Sequence, residues 1–178
     1  MGKIQRHGHG LNILLKGGPG TGKTTIARIM GGLYYDLSLL PQGQLIECSA
    51  SDLVSENVGR TASLVRERVQ EAMGGVLFID EAYSLATNQH GREAINQLVN
   101  DMSTYKGQFA VILAGYPKDM DDLMRTNEGL KRRFPNEYIL PDYSPTEMKE
   151  IFKKMVEHDG EVCIGEEMEK ERNNFCKA

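Results

Sequence analysis

The sequence predicts an α/β fold, a parallel sheet covered on both faces by helices. Three observations predict it. Short apolar runs recur along the chain, and segments with a helical apolar period stand between them. The run Val76-Leu77-Phe78-Ile79 is apolar at every position, as a central strand buried on both faces requires. With 178 residues there is chain enough for one well-buried domain and a small appendage.

In chain order, residues 1–10 (MGKIQRHGHG) are polar and punctuated by glycine, and are expected to form a flexible arm. Leu11 to Leu15 is a short apolar run before a glycine turn and suits a first strand. From Thr24 to Leu37 the residues Ile26, Ala27, Met30, Leu33 and Leu37 recur near helical spacing. Gln44 to Cys48 is the second strand. Thr61 to Met73 is a helix facing inward through Val65, Val69, Ala72 and Met73, and Gly74-Gly75 ends it. After the run at Val76, Gly91 to Tyr105 carries Ala94, Ile95, Leu98, Val99 and Met102 on one helical face. Phe109 to Ala114 is another buried strand, broken by Gly115-Tyr116-Pro117, and Tyr138 to Leu140 is the last. Ser144-Pro145-Thr146-Glu147 opens a final helix with a capping box and proline at its first position.

Composition narrows the function classes. A net charge of −4 and a pI near 5.6 argue against a general nucleic-acid binder, which carries a basic surplus. The three cysteines, Cys48, Cys163 and Cys176, form no C-x-x-C pair and suit a reducing compartment. No apolar run approaches the roughly 18 residues that span a bilayer, and the first residues lack the apolar core of a signal peptide. A cytoplasmic location with no membrane partner is the expectation.

Gly17-Gly18-Pro19-Gly20-Thr21-Gly22-Lys23-Thr24 matches G-x-x-x-x-G-K-[ST] and lies between a predicted strand and a predicted helix, the context that gives the motif its meaning. A triphosphate needs several backbone N–H groups aimed at it, and glycines let the backbone curl that closely. The helix N-terminus adds partial positive charge. Lys23 is placed to reach the β- and γ-phosphates, and the Thr24 hydroxyl to ligate Mg²⁺. The expected binding set is Gly18, Pro19, Gly20, Thr21, Gly22, Lys23, Thr24 and Thr25.

Asp80 and Glu81 follow the central apolar run directly. Ligands of parallel sheets sit at the carboxyl ends of strands, and consecutive residues there point to different sides. This permits Asp80 to hold Mg²⁺ and Glu81 to polarise the attacking water. The plainer alternative is that Asp-Glu caps the next helix. The chain contains no Asn-Lys-x-Asp guanine reader, and Asp80-Glu81-Ala82 is followed by Tyr83, so the DEAD-type helicase motif is absent too.

With these blocks in place the sequence resembles the AAA+ ATPases, and within them the group of CbbX-type rubisco activases and the sporulation protein SpoVK. The resemblance is carried by Gly18 to Thr25, Met73 to Tyr83, Val111 to Tyr116 and Pro141 to Ser144, in that order. It implies a five-stranded parallel sheet, ATP with Mg²⁺, and hydrolysis between neighbouring subunits of a homo-oligomeric, hexameric ring acting on a protein substrate. It also implies an arginine finger in Lys131-Arg132-Arg133-Phe134, with Arg133 the first choice and Arg132 the second.

Three departures bear on that implication. The family's aromatic-aliphatic-glycine pore triplet reads Asn57-Val58-Gly59, which offers little apolar grip. The fourth strand leads to Tyr116 where many relatives have an asparagine that senses the γ-phosphate; a packed aromatic is the equal alternative. Residues 144–178 provide one lid helix and a polar tail, in which Glu157 to Arg172 holds seven acidic and two basic residues. The expected organisation is therefore an arm (1–10), a nucleotide-binding core (11–143) and an incomplete lid (144–178). Beside the hydrolysing ring stand two other readings: a binding module with little or no hydrolysis of its own, and a small-molecule kinase. Nothing in the sequence selects rubisco as the protein acted on.

Overall fold

The apolar runs become the strands of one sheet in the computed structural model, which describes residues 10–57 and 59–158. The strands are β1 (Ile13–Gly17), β2 (Leu45–Ser49), β3 (Val76–Asp80), β4 (Ala110–Gly115) and β5 (Asn136–Leu140). They lie in the order β2-β3-β4-β1-β5 and all pair in parallel. The order puts β1, β3 and β4 inside, and those are the strands buried along nearly their whole length.

Alternation along the strands feeds two cores, one on each face. On one, Ile13, Leu15, Phe78 and Ile112 pack with Ala27 and Tyr34 of helix α1 (Lys23–Asp36). On the other, Leu14, Leu77, Ile79 and Leu113 meet α2 (Arg60–Glu71), α3 (Gln89–Thr104) and α4 (Pro117–Thr126) through Val65, Leu98 and Met120. The short α5 (Glu128–Lys131) leads into β5. Two 3₁₀ helices, Ala50–Leu53 and Ala82–Ala86, follow the carboxyl ends of β2 and β3. Among the described residues no helix is long and apolar enough to cross a membrane.

Some details differ from the sequence reading. β1 starts two residues later than expected and takes in Lys16 and Gly17. The inward face of α1 runs through Ala27, Gly31 and Tyr34, with Leu33 and Leu37 exposed. A Cβ on Gly31 would stand 3.1 Å from the Gly43 carbonyl oxygen, so a bare helix surface at that point brings α1 close to the chain entering β2. The Tyr34 ring fills the core below, its hydroxyl donating to the Leu11 carbonyl at 2.7 Å. The sequence pattern marks Pro117 only as a strand breaker, whereas the structure begins helix α4 there. Proline at a first helical position, with Met120, Leu123 and Met124 turned inward, makes it a start.

The chain divides into two units between Asp142 and Tyr143. In the second, the described element is α6 (Pro145–His158), and its expected capping box forms: the Ser144 N–H donates to Glu147 at 2.8 Å and the Glu147 N–H to the Ser144 hydroxyl at 3.3 Å.

Candidate nucleotide site

β1 runs out at Gly17, and the chain loops through Gly18 to Gly22 before α1 begins at Lys23. Gly20 and Gly22 hold φ of +73° and +85°, a left-handed region that strains any residue with a Cβ. Thr21 is turned inward and buried, its hydroxyl donating to the Gly18 carbonyl at 2.9 Å, so it braces the loop from inside. The Lys23 ammonium lies across the loop and donates to the carbonyls of Gly18 at 2.6 Å and Gly17 at 3.1 Å.

The loop forms one wall of a cleft of about 460 Å³. Pro19, Gly20, Gly22, Lys23, Thr24 and Thr25 make that wall; Asp80, Glu81 and Tyr83 at the end of β3 and Gly115 and Tyr116 at the end of β4 make the other. The structure thus brings together Lys23, Thr24, Asp80 and Glu81. Of the expected binding residues, Gly18 and Thr21 stand outside the lining. Gly18 instead meets Asp142, whose Oδ1 would lie 2.6 Å from a Cβ there.

The backbone turns sharply where β3 ends. Glu81 has φ +49° and ψ +36°, a left-handed conformation rare for residues other than glycine. Its N–H donates to Asp80 Oδ1 at 2.9 Å, and its carbonyl accepts from Ser84 at 2.9 Å as the 3₁₀ helix opens. Glu81 therefore stands at the N-cap of the next helix, with no side-chain hydrogen bond capping it.

That 3₁₀ helix returns Tyr83 to the cleft, a residue the sequence reading did not assign. Its ring packs over Gly115, where a Cβ would meet it at 2.8 Å, and tilts against Tyr116 with ring centroids 5.9 Å apart. Burial, and then the charge of Glu81, push its phenol above the ordinary tyrosine range, so it stays a hydrogen-bond donor. A tyrosine two places after a strand-end carboxylate was visible in the sequence; the tight helix that carries it back was not.

The residues present fit a nucleotide with Mg²⁺. An ammonium, hydroxyls and a helix N-terminus face the same cleft as two carboxylates. Among the described residues no cluster of three or more His, Cys, Asp and Glu could hold a metal by itself. Thr24 and Asp80 offer hard oxygens only, which suits an ion that shares its ligands with phosphate and water.

Arg133 lies away from this cleft. Its guanidinium donates to the Gly129 carbonyl at 2.7 Å and to the Ser103 hydroxyl on α3, and its Nε is buried without a partner. Arg132 points outward, its side chain 78% exposed and paired with Glu128 at 3.0 Å. Of the Asn57-Val58-Gly59 triplet, Val58 lies outside the described residues; Gly59, at φ +77°, caps α2.

The family model described as "ATPase family associated with various cellular activities (AAA)" matches residues 13–141. The chain is 44% identical over 162 residues to stage V sporulation protein K of Bacillus subtilis (strain 168), a match covering 89% of this chain and 50% of that protein. It is 41% identical over 152 residues to the chloroplastic ribulose bisphosphate carboxylase/oxygenase activase of Cyanidioschyzon merolae (strain NIES-3377 / 10D), covering 83% and 52%. The chain spans about half the length of these curated relatives. Among solved structures it is similar to the FIGL-1 AAA domain in complex with ADP, with 26% identity and a TM-score of 0.58 over 82% of this chain and 48% of that one.

Proposed function

The chain belongs to the AAA family of ATPases, in the group of the CbbX-type activases and SpoVK, and from that premise we propose that it binds ATP with Mg²⁺ and hydrolyses it in a ring that remodels a protein partner. One observation carries the reading: the phosphate loop and the Asp80-Glu81 strand end face each other across a single cleft.

In this reading Lys23 and the start of α1 hold the terminal phosphates, and Thr24 and Asp80 hold Mg²⁺, which when bound neutralises phosphate charge. Glu81 accepts a proton from water and directs the attack. An arginine from a neighbouring copy completes the charge on the transferring phosphoryl group. The module works in a reducing, cytoplasmic setting, in keeping with the free thiol Cys48 buried in its core.

The test pairs mass by light scattering, with and without ATP·Mg²⁺, with an assay of phosphate release. A nucleotide-dependent assembly that turns over supports the proposal. Glu81→Gln is expected to retain ATP and lose hydrolysis; hydrolysis that survives the substitution removes Glu81 from its role. The alternative reading is a binding module that hydrolyses little by itself. A monomer that binds ATP without turnover is its signature.

A further inference from the structure

Two polar side chains are buried on β1 and its approach, on the face that packs against α3 and α4, and the nucleotide chemistry uses neither. Lys16, the last residue before the cradle glycine Gly17, has a side chain only 4% exposed. Its ammonium donates to Asp121 on α4 and to Glu137 on β5. At the other end Asn12, also buried, donates to the Arg133 carbonyl at 2.9 Å and accepts from the Val111 N–H at 2.8 Å. Stability does not call for a lysine here. An apolar side chain of similar length would join the surrounding core without desolvating a charge, and exchanges of that kind are often neutral or stabilising. What an ion triad supplies is a fixed placement of three segments, and each leads to the site or to its arginines. β1 runs into the phosphate loop, α4 starts one residue after Tyr116, and β5 follows Arg132 and Arg133.

We propose that Lys16 is a positioning residue: with Asn12 it makes β1 a strut that joins the phosphate loop to the Arg132–Phe134 segment, so that nucleotide in the cleft orders the arginines presented to a neighbour. The inference rests on the proposed nucleotide site and deepens it. Desolvation opposes the charged ammonium, but the hydrogen bonds it donates to Asp121 and Glu137 more than offset it and raise the lysine's pKa, so the strut stays charged at neutral pH.

The test is hydrogen exchange on the full chain with and without ADP·Mg²⁺, read in the peptide covering residues 130–137, with melting temperature, ADP affinity and turnover measured alongside. In the parent, nucleotide should slow exchange in that peptide. Lys16→Met should keep the melting temperature and ADP affinity, lose the nucleotide-dependent slowing, and lower kcat about ten-fold with little change in KM; Lys16→Arg should restore most of both. Its two carboxylates are each about half exposed, so the methionine variant strands no buried charge. If it nonetheless misfolds, Lys16→Leu, which also leaves no buried charge, carries the same readouts. Slowing and kcat equal to the parent's in either variant overturn the proposal. Glu81→Gln separates the two levels: it should keep the slowing while losing turnover. Undiminished hydrolysis in Glu81→Gln sinks the catalytic reading and leaves the exchange result to judge the strut.

Discussion

At Glu81 the backbone and the proposed chemistry make opposite demands. A left-handed conformation costs a residue with a Cβ about 1–2 kcal/mol, and here it is held by the Asp80 carboxylate on one side and the 3₁₀ helix on the other. Strain of this kind persists where the surroundings over-determine it. Glu81→Gly should therefore raise stability by up to about 1 kcal/mol while abolishing hydrolysis, whereas Glu81→Gln should abolish hydrolysis at unchanged stability. Thermal melts beside phosphate release decide it; a glycine variant that melts below its parent shows that the carboxylate contributes more than the strain costs. A second residue fixes a pH limit. Burial pushes the Cys48 thiol up to about 12. A raised folded pKa leaves its contribution whole below the unfolded value of about 8.5 and removes it as pH rises toward the folded one. Stability should fall on the alkaline side over that interval, and Cys48→Ala should flatten the fall. In the native protein Cys48 should also resist alkylation at pH 8, as peptide mapping would show.

Elements were legible where a pattern is local and opaque where a tertiary partner decides. The inner strands β3 and β4 followed from continuous apolar runs, because a strand buried on both faces has no other way to be written. The phosphate loop and the acidic strand end were legible for the same reason, since their chemistry lies in consecutive residues. The outward turn of Leu33 and Leu37 was not, because the orientation of α1 is set by Gly31 approaching Gly43 and by the Tyr34 hydroxyl finding Leu11. Nor was Lys16, which from sequence could only look like the polar end of a strand; its partners are more than a hundred residues away. That triad has its own pH signature. Hydrogen bonding to Lys16 holds the Asp121 carboxyl below its usual range, so its contribution is whole above the ordinary carboxylate pKa and is lost as pH falls. Lys16→Met should therefore show a shallower acid limb in a stability–pH curve, and an unchanged limb would mean that the pair adds nothing to folding. The junction of the second 3₁₀ helix with α3 is set by a single glycine. A Cβ on Gly91 would sit 2.2 Å from the Leu85 carbonyl oxygen, which is backbone and unable to turn aside. Gly91→Ala should cost about 1–3 kcal/mol by overpacking and should also shift Tyr83 in the cleft. Denaturant unfolding measures the first effect and nucleotide affinity the second.

For the molecule as a whole the open question is whether its site is shared between copies. Within one chain the loop, Asp80 and Glu81 face one cleft, while Arg132 and Arg133 lie outside it. In the proposed reading a catalytic arginine at that position acts on another copy. The two differ in readiness: Arg132 is exposed with one surface partner, and Arg133 is held by Gly129 and Ser103 and has to leave them to reach across. Surface ion pairs contribute little, so releasing Arg132 costs almost nothing, while Arg133 gives up two hydrogen bonds. A mixing experiment uses this directly. In the proposed reading Glu81→Gln has a dead site and intact arginines, and Arg133→Ala has an intact site and lacks the arginine. Each alone should be inactive, and if the arginine acts in trans the mixture should recover turnover, because some subunits then pair a working Glu81 with a neighbour's Arg133. Turnover per chain in the parent should also rise with protein concentration through the range of self-association. Repeating the mixture with Arg132→Ala assigns the role: the variant that is inactive alone and rescued by Glu81→Gln lacks the finger. An Arg133→Ala variant that hydrolyses normally by itself would move the role to Arg132, and normal turnover in both variants would leave the site complete within one chain.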